Sequence, residues 1–344
     1  MNPLKIAISG FGRIGRCFFK LAFERPNEIE IVAINDLADL DNLAYLLKYD
    51  SVYGRYHHPV AADKNSGYLT INDKKIKVIQ EKEPAKLPWK DLGVDIVVEA
   101  TGVFETFEKA SLHLNAGAKR VVITAPSKDD DLSYKLGATV ILGINDDDLK
   151  KVKITSNGSC TTNAVAPAMA ILLENPGIKK AILNTTHAYT ASQKIVDGPD
   201  TKDWRRGRAG AVNLVPSTTG AAITVSKVVK SLNGLFDGIA VRTPIPIVSL
   251  ADITFVANRP TSVEEINKIL KKAASQERWQ GIFKTIEEEV VSSDLIGDLC
   301  PSIADLSFTR VIDKDLVKVL VWYDNEMGYA AGLVNHVIKA GQNL

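Results

Sequence analysis

Leu4-Lys5-Ile6-Ala7-Ile8-Ser9-Gly10-Phe11-Gly12-Arg13-Ile14-Gly15 decides the fold, because it joins an apolar run to Ile14, Cys17, Phe18, Leu21 and Ala22 at helical spacing. Leu4 to Ile8 has the composition of a short buried strand, and the recurrence at three and four residues is that of an amphipathic helix. Between them, Gly10, Gly12 and Gly15 fill the strand-to-helix turn with the G-x-G-x-x-G spacing of a dinucleotide site. Glycines there permit a tight turn, close approach of backbone to a pyrophosphate and close helix packing. The N–H groups of the helix start then face the phosphates.

Asp36 closes the next apolar run, Ile29 to Ile34, about 20 residues beyond Gly15, where a carboxylate can accept hydrogen bonds from ribose hydroxyls. The same charge repels a 2′-phosphate, and Leu37 supplies no cation to offset it, so NAD is expected over NADP. Arg13, basic and beside the expected pyrophosphate, argues the other way.

Outward from this core, Val94 to Val98, Val121 to Thr124 and Val140 to Ile144 read as further strands, with helical patterns at Leu43 to Leu47 and Phe107 to Leu114. Strands alternating with helices predict an α/β unit with a doubly wound parallel sheet of Rossmann type. After about residue 155 the strands lengthen and alternate: Ala181 to Tyr189, Ile239 to Thr243, Ala251 to Val256 and Val317 to Trp322. They predict a second, α+β unit on a mixed or antiparallel sheet. Ser262 with Glu265 forms a capping box ahead of Ile266 and Leu270, and Ala330, Leu333, Val334, Val337 and Ile338 give a terminal helix its apolar stripe.

Composition narrows the function. Forty-two basic residues against forty-one acidic ones leave a net charge of +1, so no overall field points to nucleic acid or a membrane surface. No secretory pattern opens the chain, and charges interrupt every apolar run well short of a bilayer span. A soluble, cytoplasmic protein is expected. Cys17, Cys160 and Cys300 are too few and too far apart for a disulfide framework or a paired-cysteine metal site, and no metal is expected.

One thiol has an unusual setting. Ser159-Cys160-Thr161-Thr162-Asn163 precedes the apolar run Ala164 to Leu173, placing Cys160 in the first turn of a helix, with Pro167 implying a kink or a late start. Hydroxyls and an amide are poor packing for an inert buried thiol. A helix N-terminus and a nearby imidazolium would lower the thiol pKa and favour the reactive thiolate. His187, in Asn184-Thr185-Thr186-His187-Ala188-Tyr189-Thr190, is the best candidate base, whereas His57, His58, His113 and His336 have no comparable setting and read as structural.

With these motifs assembled, the chain closely resembles the phosphorylating glyceraldehyde-3-phosphate dehydrogenase family over essentially its whole length. The resemblance rests on Gly10 to Arg16, Ala33-Ile-Asn-Asp36, Leu47 to Gly54, Ser159-Cys-Thr-Thr-Asn163, His187 to Gln193, Pro216 to Ala222, and Trp322 to Tyr329, in the family's order. It implies that Cys160 is the nucleophile and His187 its base. It also implies a pocket for inorganic phosphate at Ser159, Thr161, Thr219 and Gly220, and one for the substrate phosphate at Thr190 and Arg242, with Arg206 added. Thr101 and Thr124 match cofactor loops at strand ends. Asn325 matches the residue that holds the nicotinamide carboxamide, and Tyr329 is grouped with it.

The implied domains are an NAD-binding domain of residues 1–158 and 325–344 and a catalytic domain of residues 159–324. The implied activity joins glyceraldehyde 3-phosphate, NAD and inorganic phosphate in a homotetramer whose contacts include Asp197 to Asn213. Ala164 replaces a second family cysteine and Met327 a tryptophan, neither of them a catalytic group. Two alternatives compete: an erythrose-4-phosphate dehydrogenase, and a catalytically silent nucleotide- or RNA-binding protein, which the balanced charge weakens.

Overall fold

The computed structural model describes residues 2–129, 137–201 and 203–344. They divide into two compact units: residues 2–129, 137–140, 146–158 and 333–344, and residues 141–145, 159–201 and 203–332. Residues 325–332 thus group with the second unit, and the chain returns to the first at Leu333.

The first unit opens with β1 (Leu4–Ser9), α1 (Arg13–Phe23), β2 (Ile29–Asn35) and α2 (Leu40–Lys48), then the short β3 (Tyr49–Asp50) and β4 (Gly54–Arg55). It continues through β5 (Val60–Asp63), β6 (Tyr68–Ile71), β7 (Lys74–Ile79), β8 (Ile96–Glu99), α3 (Phe107–Asn115), β9 (Arg120–Ile123), β10 (Gly137–Thr139) and β11 (Ile154–Ser156). Nine strands make one sheet in the order β10-β11-β9-β8-β1-β2-β7-β6-β5. From β10 to β7 every pair is parallel; β6 and β5 are added antiparallel.

Alternate strand residues face opposite sides. Ala7, Ala33, Val97 and Val121 pack with Trp89, Phe107 and Ala110 on one side, while Ile6, Ile8, Ile34, Val98 and Val122 on the other are just as fully buried. A sheet covered on both faces needs strands that are apolar throughout, which is why these segments lack alternation. Val140 to Ile144 is not a strand: the sheet's edge strand is Gly137–Thr139, and the apolar run after it turns at Gly143, in the left-handed region at φ +80°. Val140 donates its N–H to the Ser156 carbonyl at 2.9 Å and ends the ladder, Ile141 is buried beyond it, and the Asn145 side chain accepts the Ile141 N–H at 2.9 Å.

The second unit contains α4 (Cys160–Glu174), β12 (Ile178–Ala188), β13 (Val215–Thr218), α5 (Ala221–Val228), β14 (Phe236–Thr243), β15 (Ser249–Ala257) and α6 (Val263–Ala274). β16 (Phe283–Ile286), β17 (Ser302–Ile312), β18 (Leu316–Tyr323) and α7 (Met327–Gly341) follow, and α7 passes out of this unit at Leu333. Its seven-stranded sheet runs β13-β14-β12-β15-β18-β17-β16 and is mixed: β12 with β14 and β16 with β17 are parallel, the other pairs antiparallel. Strand β15 alternates strictly between buried and half-buried residues, as one covered face requires. The core beneath that face joins Leu183, Ile253, Phe255, Val317, Val319 and Val321 to residues of α4, α5 and α6.

Helix α4 starts at Cys160, which stands in its first turn, and runs through Pro167, so the helix does not start late. Ser159 makes this possible, its hydroxyl accepting the Thr162 N–H at 3.0 Å as an N-cap. The capping box at α6 is only half formed. Ser262 accepts the Glu265 N–H at 3.2 Å, but the Glu265 carboxylate turns to Arg259 and Thr261. Among the described residues no helix is long and apolar enough to cross a membrane.

Candidate active site

In the first unit the glycine turn has the backbone its sequence calls for. Gly10 sits at φ +92°, and a Cβ there would lie 2.6 Å from the Ala100 carbonyl carbon and the Thr101 nitrogen. A Cβ on Gly15 would strike the Gly10 carbonyl oxygen, whereas one on Gly12 would meet nothing within 4 Å. Gly10 and Gly15 therefore serve the turn and the helix packing, and Gly12 leaves open space over the start of α1. No side chain caps that helix, and its first turn holds no acidic residue. Such an N-terminus fits a pyrophosphate.

The Asp36 carboxylate accepts the Phe11 N–H at 2.7 Å on one oxygen and the Ala38 N–H at 2.9 Å on the other. Each oxygen keeps accepting capacity for a ribose hydroxyl. The Phe11 side chain is core, edge-on to Phe19 at 5.5 Å, so only its backbone serves the loop, and Ile14 is half-buried. Arg13, the residue that argued for a 2′-phosphate, pairs with Asp50 at 2.8 Å and lies over the Tyr53 ring. At the strand ends, Thr101 gives both its N–H and its hydroxyl to Glu99, and the Thr124 N–H goes to the Glu99 carbonyl at 3.0 Å.

The second unit carries the thiol. Cys160 Sγ lies 3.5 Å from His187 Nε2. On its other nitrogen, Nδ1, His187 meets the Ala188 carbonyl at 2.7 Å and Arg242 Nη1 at 2.6 Å. Donation of Nδ1–H to that carbonyl leaves the Nε2 lone pair facing the sulfur, the tautomer a base needs; the guanidinium, a donor only, then bonds the same Ala188 carbonyl at 3.2 Å and not Nδ1. Burial first, and the Arg242 guanidinium second, push His187 down to about 3. Burial likewise pushes the Cys160 thiol up, against the pull of Arg242 and the Thr161 N–H at the helix start. Both directions favour a thiol facing a neutral imidazole over the thiolate–imidazolium pair that the sequence suggests.

Around this pair, Thr161 is buried and shares its hydroxyl with Tyr323 Oη at 2.9 Å, which in turn meets the Thr185 hydroxyl at 2.8 Å. Neither Tyr323 nor Thr185 was singled out as a site residue, although alternation along β18 puts Tyr323 on the core face with Val317, Val319 and Val321. A phenol there needs a polar partner for its hydroxyl.

Arg206 donates to the Thr218 carbonyl at 3.2 Å and lies close enough to act on the charge of Arg242. Thr219 accepts the Ala221 N–H at 3.2 Å, and Gly220 caps α5 with open space where a Cβ would stand. Thr190 meets Ser192 through its hydroxyl at 2.9 Å. Buried Asn325 accepts the Ser249 hydroxyl at 3.0 Å, and Tyr329 is also buried. Of the remaining histidines, two are plainly structural: His113 bonds Trp89 and Glu99, and His336 bonds Thr155 and Asn157, all within the first unit.

A dinucleotide turn on a doubly wound sheet, and a thiol paired with an imidazole on a second unit, are the parts of a nucleotide-dependent dehydrogenase. Residues 4–107 match the NAD binding domain of glyceraldehyde 3-phosphate dehydrogenase, and residues 159–325 match its C-terminal domain. The chain is 46% identical over 339 residues to glyceraldehyde-3-phosphate dehydrogenase of Shimwellia blattae, covering 98% of this chain and 99% of that one. It is 45% identical over 339 residues, with the same coverage, to glyceraldehyde-3-phosphate dehydrogenase A of Escherichia coli and to the Salmonella typhimurium enzyme. The chain belongs to the glyceraldehyde-3-phosphate dehydrogenase family.

Proposed function

We propose that the chain oxidises D-glyceraldehyde 3-phosphate with NAD and inorganic phosphate to 1,3-bisphosphoglycerate. The observation that carries this reading is the 3.5 Å approach of His187 Nε2 to Cys160 Sγ with Arg242 beside them. His187 takes the thiol proton as the sulfur attacks the aldehyde carbon and hands it to the former carbonyl oxygen, giving a thiohemiacetal and a neutral imidazole again. Bound NAD supplies the acceptor for the hydride that leaves this carbon, and the carbon becomes a thioester. The hydroxyl proton of the thiohemiacetal passes out through His187. Inorganic phosphate then attacks the thioester, the C–S bond breaks, and the acyl phosphate leaves with Cys160 regenerated.

Arg242, Arg206 and Thr190 offer a guanidinium fork and a hydroxyl to the substrate phosphate. Ser159, Thr161, Thr219 and Gly220, at the starts of α4 and α5, suit the attacking anion. Gly10, Gly12, Gly15, Phe11, Arg13, Ile14, Asp36, Thr101 and Thr124 are assigned to NAD in the first unit, and Asn325 and Tyr329 to its nicotinamide end.

The same reading makes the protein a cytoplasmic homotetramer. Ile182 and Ile239 are more than half exposed on the open face of the second sheet, while Ile195, Trp204 and Val212 are exposed at 88%, 87% and 76%. Apolar surface of that extent is characteristic of an interface.

Initial NADH formation with and without inorganic phosphate, beside matched NADP and erythrose 4-phosphate reactions, tests the reading. Phosphate-dependent reduction of NAD with preference for the three-carbon aldehyde is expected, and Cys160→Ala should abolish it while NAD still binds. Preference for the four-carbon aldehyde, or no turnover at all, would return the erythrose 4-phosphate or binding-protein alternatives.

A further inference from the structure

One cluster of donor groups, confined to the first unit, has no part in the reaction above. Glu24 is the C-cap of α1, and its Oε1 lies 2.7 Å from His58 Nε2 and 3.2 Å from His57 Nε2. The two imidazoles are neighbours, with ring centroids 4.0 Å apart, and one donor atom from each of the three residues lies within 4.8 Å of the others. Among the described residues this is the only such group of three. A carboxylate at a helix C-terminus adds negative charge to the negative end of the helix dipole, an arrangement that a bound cation relieves.

His58 is the fixed member. Its side chain is 18% exposed and packs edge-on against Phe23 at 5.3 Å and Tyr56 at 5.2 Å. Its Nδ1 lies 2.6 Å from the Asn72 side-chain amide nitrogen. Asn72 and Asp73 form the two-residue loop between β6 and β7, both in the left-handed region at φ +45° and +64°, as a type I′ hairpin requires. That turn holds the amide in place. As placed, the amide donates to Nδ1 and Nε2–H faces Glu24; with an ion bound the amide presents its oxygen instead, accepts Nδ1–H and frees the Nε2 lone pair, which is how outer groups orient metal-binding imidazoles.

We propose that Glu24, His57 and His58 bind a first-row divalent transition-metal ion of the nickel, copper and zinc class. Two imidazole nitrogens and one carboxylate suit those ions, whereas calcium and magnesium demand oxygen donors. Ligands held about 2.1 Å from such an ion stand about 3.0 to 3.4 Å apart. The His57 to Glu24 distance already meets this, and the His58 to Glu24 distance needs only a small opening. Binding shifts the His58 proton from Nε2 to Nδ1, and water completes the coordination because Glu24 and His57 are open to solvent. The ion ties the end of α1 to residues 57–58 and, through Asn72, to the β6–β7 hairpin.

Calorimetric titration of Ni²⁺ at neutral pH tests the site, using the full chain with Cys160→Ala so that the reactive thiol does not compete. One ion per chain is expected, with affinity falling at least about tenfold on adding His58→Ala or Glu24→Gln. Saturating Ni²⁺ should raise the thermal midpoint of the parent and leave the His58→Ala chain unmoved. Should His58→Ala misfold, the test passes to His57→Ala, whose side chain is 66% exposed, with the same tenfold loss expected. No binding by the parent, binding unaffected by these substitutions, or Ca²⁺ binding as tight as Ni²⁺ would each overturn the proposal.

Discussion

His187 and Arg242 are directly paired in the register of the parallel strands β12 and β14. The base and the guanidinium proposed to hold the substrate phosphate are therefore set by a single cross-strand alignment, and Arg242 helps to keep the imidazole neutral. Arg242→Gln should raise KM for the phosphorylated aldehyde and shift the acid limb of the pH–rate profile upward. The direction follows because removing a neighbouring cation favours the imidazolium. Kinetics across pH check it, and a limb that stays in place would separate the two residues.

Tyr323 ties Thr161, on the helix that carries the nucleophile, to Thr185, two residues before the base. Tyr323→Phe leaves two buried hydroxyls without that partner, which should cost about 1–3 kcal/mol of stability. Denaturant unfolding measures the loss. A variant as stable as the parent would mean that the phenol hydroxyl contributes only to chemistry.

The glycines of the first turn separate structure from ligand. Gly10→Ala, strained at φ +92° and crowded by the Ala100 backbone, should unfold the turn. Gly12→Ala meets open space, so the fold should survive while NAD affinity falls, because the methyl group enters the room left over the helix start. Thermal unfolding and NAD titration of both variants read the contrast, and equal NAD affinity for Gly12→Ala and the parent would take the pyrophosphate off that surface.

Acid should weaken the protein through two histidines. His187 and His336 are each held down to about 3, burial being the larger cause in both, with Arg242 and Arg120 respectively as the second. Below the ordinary value of 6.5 the unfolded chain takes up protons that the folded one refuses, so stability falls as pH drops from 6.5 toward about 3. At pH 5 this amounts to about 2 kcal/mol for each histidine. Urea midpoints across that range test it, and His336→Gln should flatten the slope.

Much of the first unit was legible because strands buried on both faces leave unbroken apolar runs, and because the glycine spacing constrains the turn it occupies. Val140 to Ile144 misled for the same reason: beyond Val140, which ends the ladder, burial accounts for its apolar residues without a strand. The antiparallel edge β5–β7 went unread. Its Lys-rich last strand, Lys74-Lys-Ile-Lys-Val-Ile79, is half solvated, although the Asn72-Asp73 turn before it carried a signal. Cys160 and His187 stood out by their polar neighbours. Their mutual distance, the Arg242 alignment and the Tyr323 bridge depend on pairing between segments remote in the chain, which local patterns do not encode.

The first unit is finished by residues that arrive late. His336, from the closing helix, bonds Thr155 and Asn157, and Arg120 donates to the Asn343 carbonyl. On the ribosome, then, the dinucleotide half must wait for the whole thiol-bearing half to be made before the buried Thr155 hydroxyl meets His336. A nascent chain stalled before Leu333 should remain open to protease in residues 1–158, and its release into the completed polypeptide should close it.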